Sequence, residues 1–143
     1  STDAIRSADL VVGAVLIPGK RPPIVISNED ISKMEKGTVI VDVAIDQGGC
    51  VEDVKVNTHS EPFENREGVL ISAIANLPGA VPKTSSIELS TALQKYVHFL
   101  LEEDWFENYK NDKNLSPSLQ IYNGLLLSEE VGDSLSLSVS KLV

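Results

Sequence analysis

One cysteine, Cys50, stands in the whole 143-residue chain. A lone thiol excludes an intrachain disulfide and a cysteine-based metal framework, and it favours a cytoplasmic setting. No basic cluster flanks it in sequence to lower its pKa, so a reactive thiol is not the reading it invites. Histidine is as scarce, with only His59 and His98. His59 sits in a polar stretch and His98 in a helical pattern, which is no metal-ligand spacing. Basic residues are also few: 12 Lys and Arg against 21 Asp and Glu give a formal charge of −9. A phosphate backbone needs a basic patch, so nucleic acid is not an expected partner; the acidic excess reads as a solvated surface. No apolar run approaches the length of a membrane span, no secretory signal pattern opens the sequence, and no internal repeat is visible. The chain as a whole, 42% hydrophobic, suits one domain with a real core.

The most telling stretch is Val39-Ile40-Val41-Asp42-Val43-Ala44-Ile45-Asp46-Gln47-Gly48-Gly49-Cys50. Its apolar opening is too short for a helix and rich in β-branched residues, so it reads as a parallel-sheet strand buried on both faces. Asp42 interrupts it, in the place of a polar partner for nearby backbone. The paired glycines then demand a sharp turn. Asp46 falls just past the strand's carboxyl end, where ligands bind in open α/β sheets; a plain turn-starting aspartate has the same signature.

Two further runs behave alike. Leu10 to Ile17 reads as a strand ending at Pro18-Gly19, with Gly13 and Ala14 small enough for tight packing or close approach of a ligand. Lys20-Arg21-Pro22-Pro23 is then a loop that cannot be helical. Val69 to Ala75 reads as a third strand, ending at Asn76-Leu77-Pro78-Gly79. If the strands are parallel, all three loops share one sheet edge. Between the first two strands, Ser27 and Asp30 have the spacing of a helix start. Ile31 and Met34 supply a short apolar stripe and Gly37 a stop, which makes a βαβ crossover. Val51 to Glu67 is polar, and Glu67-Gly68 is turn chemistry. A longer helix is expected from Ser85, capped with Glu88, to about Glu103, with Ile87, Leu89, Leu93, Tyr96, Val97, Leu100 and Leu101 on its apolar face. Trp105, Phe106 and Tyr109 read as packing residues, and Asn111 to Pro117 as a linker. Asn123-Gly124 suggests a hairpin turn, Ser128 the cap of a short helix, and the serine-rich end carries little structural signal.

The ordered segments Ala8-Asp9-Leu10, Gly13-Ala14-Val15-Leu16-Ile17-Pro18-Gly19, Val41 to Cys50, and Ala75-Asn76-Leu77-Pro78-Gly79-Ala80-Val81-Pro82-Lys83-Thr84-Ser85 together resemble the bacterial alanine dehydrogenases. These form one family with the nicotinamide nucleotide transhydrogenases. The resemblance runs from about Ser7 to Leu101 and weakens beyond Asn111. It implies the second half of a Rossmann-type parallel α/β sheet, three strands plus a crossover helix, over residues 1–81. Residues 82–143 would be a carboxy-terminal helical segment returning to a substrate domain. It also implies roles. Val15 and Leu16 would line the dinucleotide groove. Val43 and Asp46 would border the nicotinamide ribose and the reaction centre, with Asp46 catalytic. Ile74, Asn76 and Leu77 would close the nicotinamide pocket. The cofactor implied is NAD, and the reaction is oxidation of L-alanine to pyruvate and ammonia. Gln47-Gly48-Gly49-Cys50 favours the dehydrogenase over the transhydrogenase.

The departure from that family is equally plain. The sequence contains no GxGxxG with its acidic partner, and no segment matching the family's substrate-binding lysine and arginine or its catalytic histidine, which neither His59 nor His98 matches. The expectation is therefore a carboxy-terminal part, inactive by itself, whether truncated, proteolysed or from a broken gene. A non-catalytic piece that only packs on another chain stands beside it. In the strand order 3-2-1-4-5-6 the strands here would be the last three, leaving Leu10–Leu16 without a neighbour. Its open edge and the exposed sheet face would be covered by an N-terminal half, a second copy or exchanged elements.

Overall fold

The computed structural model describes residues 2–113 and 115–141, which fall into two compact units, Ser1–Ala80 and Val81–Val143. The first contains α1 (Thr2–Arg6), β1 (Leu10–Gly13), α2 (Asn28–Ser32) and β2 (Val39–Asp42). A 3-10 turn (Val43–Gln47), β3 (Glu64–Arg66), β4 (Val69–Ser72) and a second 3-10 turn (Leu77–Ala80) follow. The sheet order is β1-β2-β4-β3. β1, β2 and β4 run parallel, with Leu10 beside Val39 and Val39 beside Leu70, while β3 folds back antiparallel on β4. The expected α/β class with a parallel three-strand set and a crossover helix is what forms.

Each of the three parallel strands is shorter than its apolar run. Val43 to Ile45, expected as strand, lie in the 3-10 turn, because the Asp42 side chain accepts the Ala44 N–H and caps that turn. Ala44 and Ile45 are buried inside the turn, which is why the sequence stays apolar after the strand has ended. Burial of β2 on both faces is also corrected: Ile40 and Asp42 are fully buried, but Val39 and Val41 are only half-buried. The covered face packs on Ile26, Ile31, Met34, Val51, Val69 and Ile71. On the other face Leu10 and Val12 remain 58% and 57% exposed. β3 was hidden in the polar stretch Val51 to Glu67. It is held by Arg66, which donates to the Asn28 side chain, the Glu52 and Asp53 carbonyls, and Glu64.

The start of α2 follows the sequence signal. Ser27 Oγ accepts the Asp30 N–H at 3.1 Å, while the Asp30 carboxylate accepts the Ser27 N–H at 3.3 Å and its hydroxyl at 2.7 Å. Arg6 donates to the same carboxylate at 2.9 Å. The Ser27 hydrogen bonds, with help from Arg6, hold Asp30 below the ordinary carboxylate range. The helix ends at Ser32, before Gly37, which instead turns the chain into β2.

The second unit contains α3 (Pro82–Leu100), α4 (Trp105–Asn111), a 3-10 turn (Ser116–Ser118), the hairpin β5 (Ile121–Tyr122) and β6 (Leu125–Leu126), and α5 (Glu129–Leu135). The expected capping box of Ser85 and Glu88 is corrected: α3 begins earlier, at Pro82, whose fixed φ suits a first helical position, and it ends at Leu100 rather than Glu103. None of its residues is buried, so Ile87, Leu89, Leu93, Tyr96, Val97 and Leu100 lie exposed, as does Leu101 just beyond its end. Trp105, Phe106 and Tyr109 do pack, Phe106 stacking on Tyr122 with ring centroids 4.1 Å apart. Asn123 and Gly124 both have positive φ, as a two-residue hairpin turn requires. Ser128 caps α5 by accepting the Val131 N–H. The expected linker is shorter than Asn111 to Pro117, since α4 reaches Asn111 and a 3-10 turn starts at Ser116. Ser1, Asn114 and the Leu142-Val143 end of the serine-rich tail lie outside the described residues.

Candidate active site on the carboxyl edge of the sheet

Parallel pairing of β1, β2 and β4 brings their carboxyl ends to one edge. The loop after β2 is built around Asp42, which is fully buried. Its Oδ2 accepts the N–H groups of Cys50 at 2.8 Å and Val51 at 3.2 Å, and its Oδ1 accepts the Ala44 N–H at 3.0 Å. One carboxylate thus holds both ends of the turn. Each such charge-assisted bond contributes about 1.5–3 kcal/mol, which offsets the cost of burying the charge. The Cys50 thiol donates to Asp42 Oδ1 at 3.5 Å. Burial first, then the Asp42 charge and that hydrogen bond, push the thiol up to about 11. Cys50 is therefore a packing residue with an inert thiol. A Cβ at Gly13 would lie 2.4 Å from its sulfur, so the small residue in β1 makes room for Cys50.

With its ends fixed from inside, the turn carries Asp46 on its exposed outer side. The Asp46 carboxylate accepts the Asn76 N–H, at 3.3 Å from Oδ1 and 3.4 Å from Oδ2. This bond ties the loop after β2 to the loop after β4. Asn76 presents its N–H from a left-handed conformation, φ 53°. The path of the chain before it is set by Asn57, which accepts from the Ala73 N–H through its side chain and donates its own N–H to the Ala73 carbonyl, both at 2.8 Å.

Of the residues singled out in the sequence, Asp46 and Asn76 are joined directly. The others share the edge through the strand register. Val15 is half-buried and Leu16 66% exposed after β1; Val43 opens the turn after β2; Ile74 is half-buried; and Leu77 opens the second 3-10 turn. One neighbour was missed. Arg21, read only as part of a proline loop, donates from Nη2 to the Gly48 carbonyl at 3.4 Å and so reaches the turn that carries Asp46. Its one sequence signal was a cation in a loop at the same sheet edge. Among the described residues no group of His, Cys, Asp and Glu is placed to hold a metal ion, and no helix is long and apolar enough to cross a membrane.

Comparison with known proteins agrees with the fold. The chain is 42% identical to an alanine dehydrogenase of Mycolicibacterium smegmatis over 135 residues, 94% of this chain and 36% of the relative. It is 40% identical to one of Staphylococcus epidermidis over 139 residues, 96% of this chain and 38% of the relative. Among solved structures, an L-alanine dehydrogenase superposes with a TM-score of 0.72 at 36% identity, over 94% of this chain and 37% of that one. A transhydrogenase from Sinorhizobium meliloti superposes with a TM-score of 0.62 at 26% identity, over 71% of this chain and 29% of that one. The chain thus spans little more than a third of the length of the curated relatives it matches. The family model of the alanine dehydrogenase/PNT C-terminal domain matches residues 1–129, and the chain belongs to that family.

Proposed function

We propose that the chain is the carboxy-terminal part of an NAD-dependent L-alanine dehydrogenase, which converts L-alanine, NAD and water to pyruvate, ammonia and NADH. The observation that carries this reading is the Asp46 carboxylate, exposed at the carboxyl edge of a parallel sheet and held on the Asn76 N–H. That is the edge at which open α/β sheets bind ligands. A single backbone N–H leaves most of the carboxylate's lone pairs for a substrate ammonium or an attacking water. The flanking residues fit the nicotinamide end of the cofactor. Val15, Leu16, Val43, Ile74 and Leu77 offer apolar surface for the ring, and Asn76 offers polar partners for its carboxamide. The pyrophosphate needs a glycine-rich turn that this sequence lacks, so its cradle belongs to another part of the protein.

NAD supplies the hydride acceptor. With NAD bound, hydride would leave Cα and a proton would leave nitrogen to give a C=N bond, to which water would add as ammonia departs. Asp46 serves this sequence by holding the ammonium, then orienting the water, with a fixed negative charge beside the carbon that becomes electron-poor. The higher identity and coverage of the dehydrogenases favour this activity over that of a transhydrogenase. A cytoplasmic setting belongs to the same reading, as do an N-terminal half or a second copy as partner. In the complete enzyme, Asp46→Asn is expected to lower kcat at least about tenfold through loss of that charge. A turn residue would instead show an altered melting temperature and near-normal kinetics, and steady-state rates of the purified variant decide.

A further inference from the structure

The loop after β1 contributes a side chain that the mechanism above does not use. Arg21 follows the bend Pro18-Gly19-Lys20, and Pro22 beside it is buried, so the root of the side chain is fixed. The side chain lies across Gly48 with more than its tip. A Cβ at Gly48 would meet Arg21 Nε at 2.5 Å, Cγ at 3.0 Å and Cδ at 3.2 Å. Gly48 itself has φ 112°, and its N–H closes the turn on the carbonyls of Ala44 and Ile45. Asp46 lies between Ile45 and Gly48 in that turn, so whatever fixes Gly48 fixes the backbone on the carboxyl side of Asp46. Asp42 holds the turn from inside the fold; Arg21 covers it from outside. Among the described residues no carboxylate forms an ion pair with Arg21. It is therefore no salt-bridge strut; what it gives the turn is the hydrogen bond to the Gly48 carbonyl and a stem laid across Gly48.

We propose that Arg21 is a positioning residue for Asp46: by roofing Gly48 it keeps the turn in the form that sets the Asp46 carboxylate on the Asn76 N–H. Through it the loops after β1, β2 and β4 become one connected edge, Arg21 to Gly48 and Asp46 to Asn76. The kinetic consequence rests on the dehydrogenase reading; the geometric one does not. A lysine, which places a point charge on a flexible stem, would cover the peptide only in part.

The test compares Arg21→Ala, Arg21→Lys and wild type in the complete enzyme, with steady-state kinetics and with hydrogen exchange of the Asn76 amide. Arg21→Ala is expected to lower kcat about tenfold, with KM for NAD within about twofold, because a misplaced group costs rate rather than cofactor binding. The Asn76 amide should exchange at least about tenfold faster. Arg21→Lys should recover part of both. Unchanged exchange with unchanged kcat would overturn the proposal. So would a raised KM for NAD at constant kcat, since Arg21 would then be touching the ligand. If the wild type does not oxidise L-alanine, the functional reading fails, and amide exchange still decides the role of Arg21.

Discussion

Asp42 and Cys50 show how a residue can be central to a site without touching a substrate. A fully buried carboxylate is tolerable only when its lone pairs are filled, and three backbone N–H groups with the Cys50 thiol fill those of Asp42. The sequence marked the position because an acid breaks an apolar run, and its use as a partner for nearby backbone follows from the same pattern. Cys50 was legible as unreactive from the lack of basic neighbours; the structure adds Asp42 as a negative neighbour. This has a consequence for stability against pH. An unfolded thiol ionises near its ordinary value of about 8.5, whereas the native one holds its proton to about 11. Between those values the unfolded state binds fewer protons than the native state, so stability falls as pH rises. Below that window the group contributes no pH dependence. Cys50→Ala should remove this share of the alkaline loss. Denaturant midpoints of both proteins measured across the window would show it as a shallower slope in the variant; parallel slopes would mean that the thiol is not suppressed.

Elements were legible where local chemistry decides them. The Ser27–Asp30 box and the Ser128 cap are each set by a side chain acting on backbone within a few residues, and the Asn123-Gly124 turn by two residues that take positive φ. Strand ends were not legible, because Ala44 and Ile45 are buried in a turn and keep the sequence apolar after β2 has finished. β3 escaped because Glu64-Asn65-Arg66 buries little and is held by hydrogen bonds of Arg66 to distant residues. For the site, order along the chain was enough to place Asp46 and Asn76 on one edge, while the fold-back of Arg21 onto Gly48 depends on a loop path that no pattern encodes. The five-residue α2 offers a test at this scale. So short a helix has no propagation to draw on, and its start rests on the cap. Ser27→Ala should destabilise the protein by about 1 kcal/mol. The urea midpoint should drop with an unchanged m-value. A midpoint equal to wild type would show that Arg6 alone anchors Asp30 and that the hydroxyl adds nothing.

At the scale of the whole chain, the first unit has one finished face and one open one. The covered side of the sheet contains the packed cluster of Ile26, Ile31, Met34, Ile40, Val51, Val69 and Ile71, while Leu10 and Val12 stand more than half exposed on the other side of β1. The two ends of the sheet differ in the same way. β3 closes one end as a three-residue polar strand, the kind of edge that discourages pairing. β1 closes the other with apolar side chains and a row of N–H and C=O groups that no strand pairs among the described residues. An edge and a face of this character invite association, and a charge of −9 opposes it only through long-range repulsion that salt screens. The chain by itself should therefore not stay monomeric. Light scattering at micromolar concentration is expected to give a mass above 15.5 kDa, rising with added salt. Val12→Lys, which places a charge on the exposed side of the edge strand, should lower that mass while leaving the circular dichroism spectrum unchanged. A wild-type mass of 15.5 kDa at every concentration, together with slow amide exchange along Leu10–Gly13, would mean that the edge is already satisfied within one chain.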